Sequence, residues 1–226
     1  AVLVTLLLTS LLVLAAGANP FSVFYLVAKG AAGSQFALLE TLTRATPLIF
    51  TGLAVAVAFR ARLWNIGAEA QLYIGAVVTV LLGTGALPLP SMLLIPIIMI
   101  AAAVAGGLLL AGPAYLKIHF GVDEVVTTLL LNFIVLLFVS MLLEGPLKDP
   151  MGLGWPQSPK IIADAQLPRI ITGKRLHYGF VVAIALAVAL SFIMRRAVLG
   201  YEMRAVGANA EAARFQSMRL PSDHRP

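Results

Sequence analysis

Five polar side chains sit inside otherwise apolar sequence, where they could do chemistry. Asn65, Glu69 and Gln71 stand near the start of one apolar run; Thr128 and Asn132 stand within another. On a helix, residues four apart share a face, so Asn65 pairs with Glu69 and Thr128 with Asn132. Faces of this kind can line a translocation path for a polar solute or hold its walls together. They can equally serve as interhelical hydrogen-bonding groups, with Glu69 paired to Arg60 or Arg62. Asp123 and Glu124 precede the second run, where a side-chain oxygen and negative charge suit a helix amino terminus. Other chemistries lack their residues. There is no cysteine, and His119, His177 and His224 lie far apart without ligand spacing. No G-x-x-x-x-G-K-[ST] loop occurs; Gly173-Lys174-Arg175 has neither the spacing nor the hydroxyl. The expectation is no enzyme, no metal, no cofactor and no nucleotide hydrolysis by this chain.

The elements that position these groups follow from composition. The 226 residues are 60% hydrophobic and 12% charged, with a mean hydropathy of +0.97. A soluble domain is about half apolar and about a quarter charged. Too little charge remains to cover a water-soluble globule, so an integral membrane protein is expected. The net charge of +6 comes from 16 Lys and Arg scattered between apolar runs. That pattern suits membrane flanks rather than a nucleic-acid face.

A crossing helix needs about 20 apolar residues. The spacing predicts an all-α polytopic bundle of about six spans, over 1–18, 41–59, 64–83, 91–116, 125–143 and 176–194. Residues 16–18 have the small side chains of a signal-peptidase site, but no basic region precedes them. Residues 83–90 break the apolar pattern and read as a tight turn. The Pro- and Gly-rich stretch 144–175 reads as an external loop, ordered at least in part. Residues 195–226 form a polar cytoplasmic segment and tail. Small residues four apart (Gly52/Ala56, Ala103/Gly107/Ala111, Ala183/Ala187) suit close helix packing. Trp64 and Tyr201 fall at expected water–lipid boundaries. The Arg195–Arg196 pair ending the last span is the strongest positive-inside signal, and it places the amino end and the tail in the cytoplasm.

Four runs carry a resemblance. Residues 46–59 (TPLIFTGLAVAVAF), 63–76 (LWNIGAEAQLYIGA), 121–133 (GVDEVVTTLLLNF) and 200–214 (GYEMRAVGANAEAAR) resemble the permease subunit of ABC importers of the ribose, branched-chain amino acid and nucleoside group. The purine-nucleoside branch is the nearest in pattern. The resemblance implies a channel-forming subunit with alternating access, an ABC ATPase that binds ATP in the cytoplasm, a second permease subunit and an extracytoplasmic substrate-binding protein. It also implies that Gly200, Glu202, Arg204, Ala205, Gly207, Asn209, Ala212, Ala213 and Arg214 belong to the segment that docks on the ATPase. Position 70 is Ala where the family usually has Gly. The family continues beyond this segment with further helices, whereas residues 216–226 match nothing in it, so the chain reads as the amino-terminal part of a larger permease. Two other readings stand beside this one. An ion-coupled secondary transporter needs an ionisable group at the bilayer midplane, and Glu69 alone comes near. A membrane scaffold subunit needs no ATPase at all.

Overall fold

The computed structural model describes residues 2–209 and residue 213. Among these residues eight helices run in the order α1 Val2–Ala15, α2 Pro20–Ala32, α3 Gln35–Arg60, α4 Ala68–Gly83, α5 Ser91–Phe120, α6 Glu124–Glu144, α7 Gly179–Arg196 and α8 Val198–Ala208. A 3-10 turn at Ala163–Ala165 lies in the long connection before α7. Among the described residues there is no strand, only an isolated bridge between Arg169 and His177.

Helices α3, α5, α6 and α7 are each long and apolar enough to cross a bilayer. Helices α1 and α2 meet at 115° and make a fifth crossing if taken as one broken span. The expectation was about six. The difference lies at the third candidate, where the helix begins only at Ala68. Sixteen residues rise about 24 Å, short of the roughly 30 Å of hydrocarbon. Helix α2 was not anticipated from the sequence. It starts because Asn19 accepts from the Phe21 amide and Pro20 occupies the first helical turn.

The chain divides into two compact units. The first comprises residues up to Thr46 together with Pro168–Val181. Here Thr41 Oγ1 donates to the Ala31 carbonyl at 2.8 Å. Glu40 receives Arg44 at 3.3 Å and Arg175 at 3.1 Å. These last are exposed pairs, and such pairs contribute little.

The second unit comprises Pro47–Leu167 and residues from Val182 onward, and its centre is α4 packed on α5 and α6. The α4–α5 seam is made by small residues. A Cβ at Gly75 would meet Ala102 at 3.7 Å, and one at Gly106 would meet the Gln71 carbonyl at 3.4 Å. The close approach therefore uses Ala102 and Gly106, one position away from the expected 103/107/111 stripe. Gly107 faces open space. At one end of this unit the long connection folds over the α4–α5 turn. The Ile162 amide donates to the Gly83 carbonyl at 2.8 Å, and Ser91 Oγ to Asp164 Oδ1 at 2.7 Å. Beneath them Leu94, Ile98 and Ala165 form a buried cluster with Leu82 and Ile161 around it.

Candidate functional site

The opposite end of the second unit holds two linked features: a non-helical segment strapped to α6, and α8. The segment runs from Trp64 to Gly67, between α3 and α4. It is not helical because its amides have better partners. Asn65 Oδ1 accepts from the Gly67 amide at 2.9 Å, a local turn that competes with a helix. The Trp64 amide donates to Glu124 Oε1 at 3.3 Å and the Ile66 amide to Thr128 Oγ1 at 3.2 Å. Asn65 is thus outside α4 and shares no helix face with Glu69, contrary to the helical reading of that pair.

Asn132 completes the strap. Gly67, at the cap position of α4, has no side chain to satisfy the first amides of the helix. Asn132 Oδ1, from α6, accepts the Ala70 amide at 2.9 Å instead, while its Nδ2 donates to the Ile66 carbonyl at 2.9 Å. It acts as a helix cap supplied from another helix, satisfying a donor that would otherwise be orphaned. Asn65 and Thr128 are almost wholly buried, at 1% and 0% exposure. Thr128 Oγ1 also donates to the Glu124 carbonyl at 2.6 Å. Gln71 accepts from Asn65 Nδ2 at 3.3 Å. Among the described residues no buried side-chain polar atom is without a partner.

Four of the five polar candidates therefore converge: Asn65, Gln71, Thr128 and Asn132 surround one stretch of backbone. Glu69 does not join them. It is exposed on the first turn of α4 and forms an ion pair with neither Arg60 nor Arg62. Asp123 caps α6 as expected, accepting from the Val125 and Val126 amides. Glu124 does more than favour a helix end: it is an ion-pair partner of Lys117. Lys117 Nζ also donates to the Arg62 carbonyl at 3.0 Å, at a corner where Arg62 takes φ 53°. The pair forms because Gly121, at φ 64°, ends α5 in the left-handed conformation and turns the chain back into α6. Its signal in sequence was present, since Lys117 and Glu124 flank a glycine at turn distance.

Helix α8 begins two residues before the expected segment and ends at Ala208, with Asn209 following. Gly200, Arg204 and Gly207 lie at helical spacing on one face. A side chain at Gly200 would collide with the backbone of Ile193 and Met194, and one at Gly207 with the Arg60 carbonyl. Between them Arg204 Nη1 donates to the Met194 carbonyl at 2.7 Å, a cation on the open carboxyl end of α7. Helix α8 is thereby seated on the ends of both α7 and α3. Glu202 and Ala205 are half-buried, Tyr201 is exposed, and Ala213 is buried. The expected residues Ala212 and Arg214 lie outside the described residues. Among the described residues, no group of three or more His, Cys, Asp or Glu is placed to hold a metal ion.

Residues 37–220 match the model of the family described as branched-chain amino acid transport system, permease component. The chain belongs to this permease family. It is 40% identical over 195 residues to a glucose ABC transporter permease of Haloferax volcanii, covering 82% of this chain and 51% of that one. It is 35% identical over 219 residues to the guanosine ABC transporter permease NupP of Bacillus subtilis, covering 96% and 63%. It is 30% identical over 216 residues to the nucleoside ABC transporter permease NupB of Lactococcus lactis, covering 92% and 59%. The chain thus spans about half to five-eighths of the length of these relatives. No solved structure matches it. The permease is a multi-pass protein of the cell membrane, as its relatives and its long apolar helices indicate.

Proposed function

We propose that this permease chain lines part of the translocation path of an ATP-driven importer of nucleosides, and that α8 is the element a separate cytoplasmic ATPase moves. The observation that carries the coupling is the seating of α8. Two glycines and one arginine fasten it to the ends of α3 and α7 without flexible spacers. A push on α8 is then delivered as a rigid-body displacement of two crossing helices. ATP stays on the ATPase, and this chain contributes no cofactor site. A second permease subunit completes the path, and an extracytoplasmic binding protein delivers the solute.

Orientation is part of the proposal. Arg60, Arg62, Lys117, Arg195, Arg196 and Arg204 all fall at the α8 end of the second unit. A concentration of cations at one end of short connections favours the cytoplasmic side. With α1 and α2 counted as one broken crossing, and α4 with the 64–67 segment carrying the chain back across between α3 and α5, the amino end is then cytoplasmic and the 145–167 connection external. For the polar strap, the reading is structural: Asn65, Gln71, Thr128 and Asn132 hold the wall of the path, and Glu69 is the member left free to face solute or water. Nucleosides are favoured over other solutes because two relatives named for guanosine or nucleoside transport align over 96% and 92% of this chain. The relative named for glucose makes a sugar the second reading.

The test is uptake by the full-length importer, with its ATPase and binding protein, in proteoliposomes. Gly207→Val places a branched side chain against the Arg60 carbonyl and should abolish ATP-driven guanosine uptake while the protein still inserts. Full uptake by this variant refutes the coupling role. Uptake of glucose but not guanosine by the unaltered importer moves the substrate to the sugars.

A further inference from the structure

A cleft of about 210 Å³ opens where α3, α7 and α8 meet. Its rim carries Arg60, Arg195 and Arg204, and its wall is formed by Leu53, Val57 and Leu190 among others. No carboxylate of the described residues lines it. Among the described residues none of the three arginines forms an ion pair. Arg204 gives one N–H to Met194, which leaves most of its five donors available. Three cations facing one cleft repel one another, and an anion among them relieves that repulsion.

We infer that this cleft binds the phosphate of an anionic phospholipid. The chemistry is two-part. Arg60 is the last residue of α3, and Arg195 lies in the last turn of α7. They therefore stand where a crossing helix meets the headgroup layer, at which long basic side chains settle and anionic headgroups bind. Leu53, Val57 and Leu190 continue from that rim into the apolar bodies of α3 and α7, offering an acyl chain the surface it requires. The space equals about seven waters, enough for a phosphate headgroup and the first methylenes but not for a whole lipid. The remaining chain runs along the helices in the bilayer. A soluble anion would gain nothing from the apolar wall. The inference rests on the proposed orientation only for its leaflet. A lipid seated here also touches α8, so its loss would loosen the element proposed to transmit movement.

The test is native mass spectrometry of the protein released from nanodiscs of equal phosphatidylglycerol and phosphatidylcholine. The unaltered protein should retain phosphatidylglycerol selectively. Each arginine near the headgroups contributes roughly a fivefold preference, so Arg195→Gln should lower retention about fivefold and Arg60→Gln with Arg195→Gln about thirty-fold. Arg196→Gln removes the same charge from beside the cleft but not from its lining, and should lower retention by clearly less than Arg195→Gln does. If the double variant fails to fold, the single Arg195→Gln against Arg196→Gln decides. A benzophenone attached at Ser191→Cys, which also lines the cleft, should label phospholipid. Equal retention in the Arg195 and Arg196 variants, equal retention of the two lipids, or labelling of polypeptide in place of lipid overturns the inference. None of these readouts involves ATP or solute, so failure here leaves the importer reading untouched, and the reverse holds too.

Discussion

Replacing Asn132 by leucine isolates the cap that α6 supplies to α4. The side chain makes two bonds of 2.9 Å, one to the Ala70 amide and one to the Ile66 carbonyl. Ala70 is fully buried, so its amide has no water to turn to, and an orphaned buried donor costs about 1–3 kcal/mol. Ile66 is 42% exposed, so its carbonyl can be solvated and only the net value of one bond is lost, about 1 kcal/mol. The expected destabilisation is therefore about 2–4 kcal/mol. Side-chain bonds between membrane helices average only about 0.6 kcal/mol, because the separated partners find substitutes. A backbone amide at a helix start has few substitutes, and that is why the larger figure applies. Unfolding in mixed micelles by SDS titration measures the difference. Gln71→Leu serves as the comparison: its bond to Asn65 is long, at 3.3 Å, and it should cost under about 1 kcal/mol. An Asn132→Leu protein within about 0.6 kcal/mol of the unaltered one refutes the cap argument. A folded variant with normal stability but a changed KM would instead place Asn132 in contact with the solute.

Other expectations follow the same geometry. Lys117→Met strands Glu124, which is only 7% exposed, and should cost about 1–3 kcal/mol given the partly exposed lysine; adding Glu124→Gln should recover at least half of that loss in a double-mutant cycle, and full additivity of the two changes would show that the pair does not interact. Gly83→Val brings a side chain against Ile161, since even a Cβ there meets Ile161 Cγ2 at 2.8 Å. It should destabilise by about 1–3 kcal/mol and expose residues 161–165 to protease, whereas an unchanged digestion pattern would mean the connection is not seated on the α4–α5 turn.

The polar strap separates what was legible in the residue string from what was not. Asp123 was readable as a cap because its partners, Val125 and Val126, are its chain neighbours. Asn132 was readable as a costly polar group within a crossing helix, but not as the cap of α4, because its partner lies 62 residues away. Asn65 and Glu69 looked like one helix face on spacing alone. The helix that would have made them so is prevented by Asn65 itself, whose oxygen takes the Gly67 amide. The small-residue stripe on α5 was visible as a pattern, yet the seam runs through Ala102 and Gly106. A ridge of small residues shows that some helix can come close, not which rotation brings it there.

Local chemistry was sufficient for the class of molecule. Apolar runs too long for a soluble core, bounded by scattered cations, require a bilayer as solvent, and four ordered stretches of sequence carry the family pattern. Those properties depend on each residue and its near neighbours along the chain. The tertiary structure alone decided that α4 starts late, that Glu124 pairs with Lys117 across a turn, and that Gly200 and Gly207 seat α8 against two other helices. Each of those outcomes is a competition among hydrogen-bonding and packing partners from distant parts of the chain. The winner is set by which backbones approach within bonding distance, and only the folded arrangement of helices determines that.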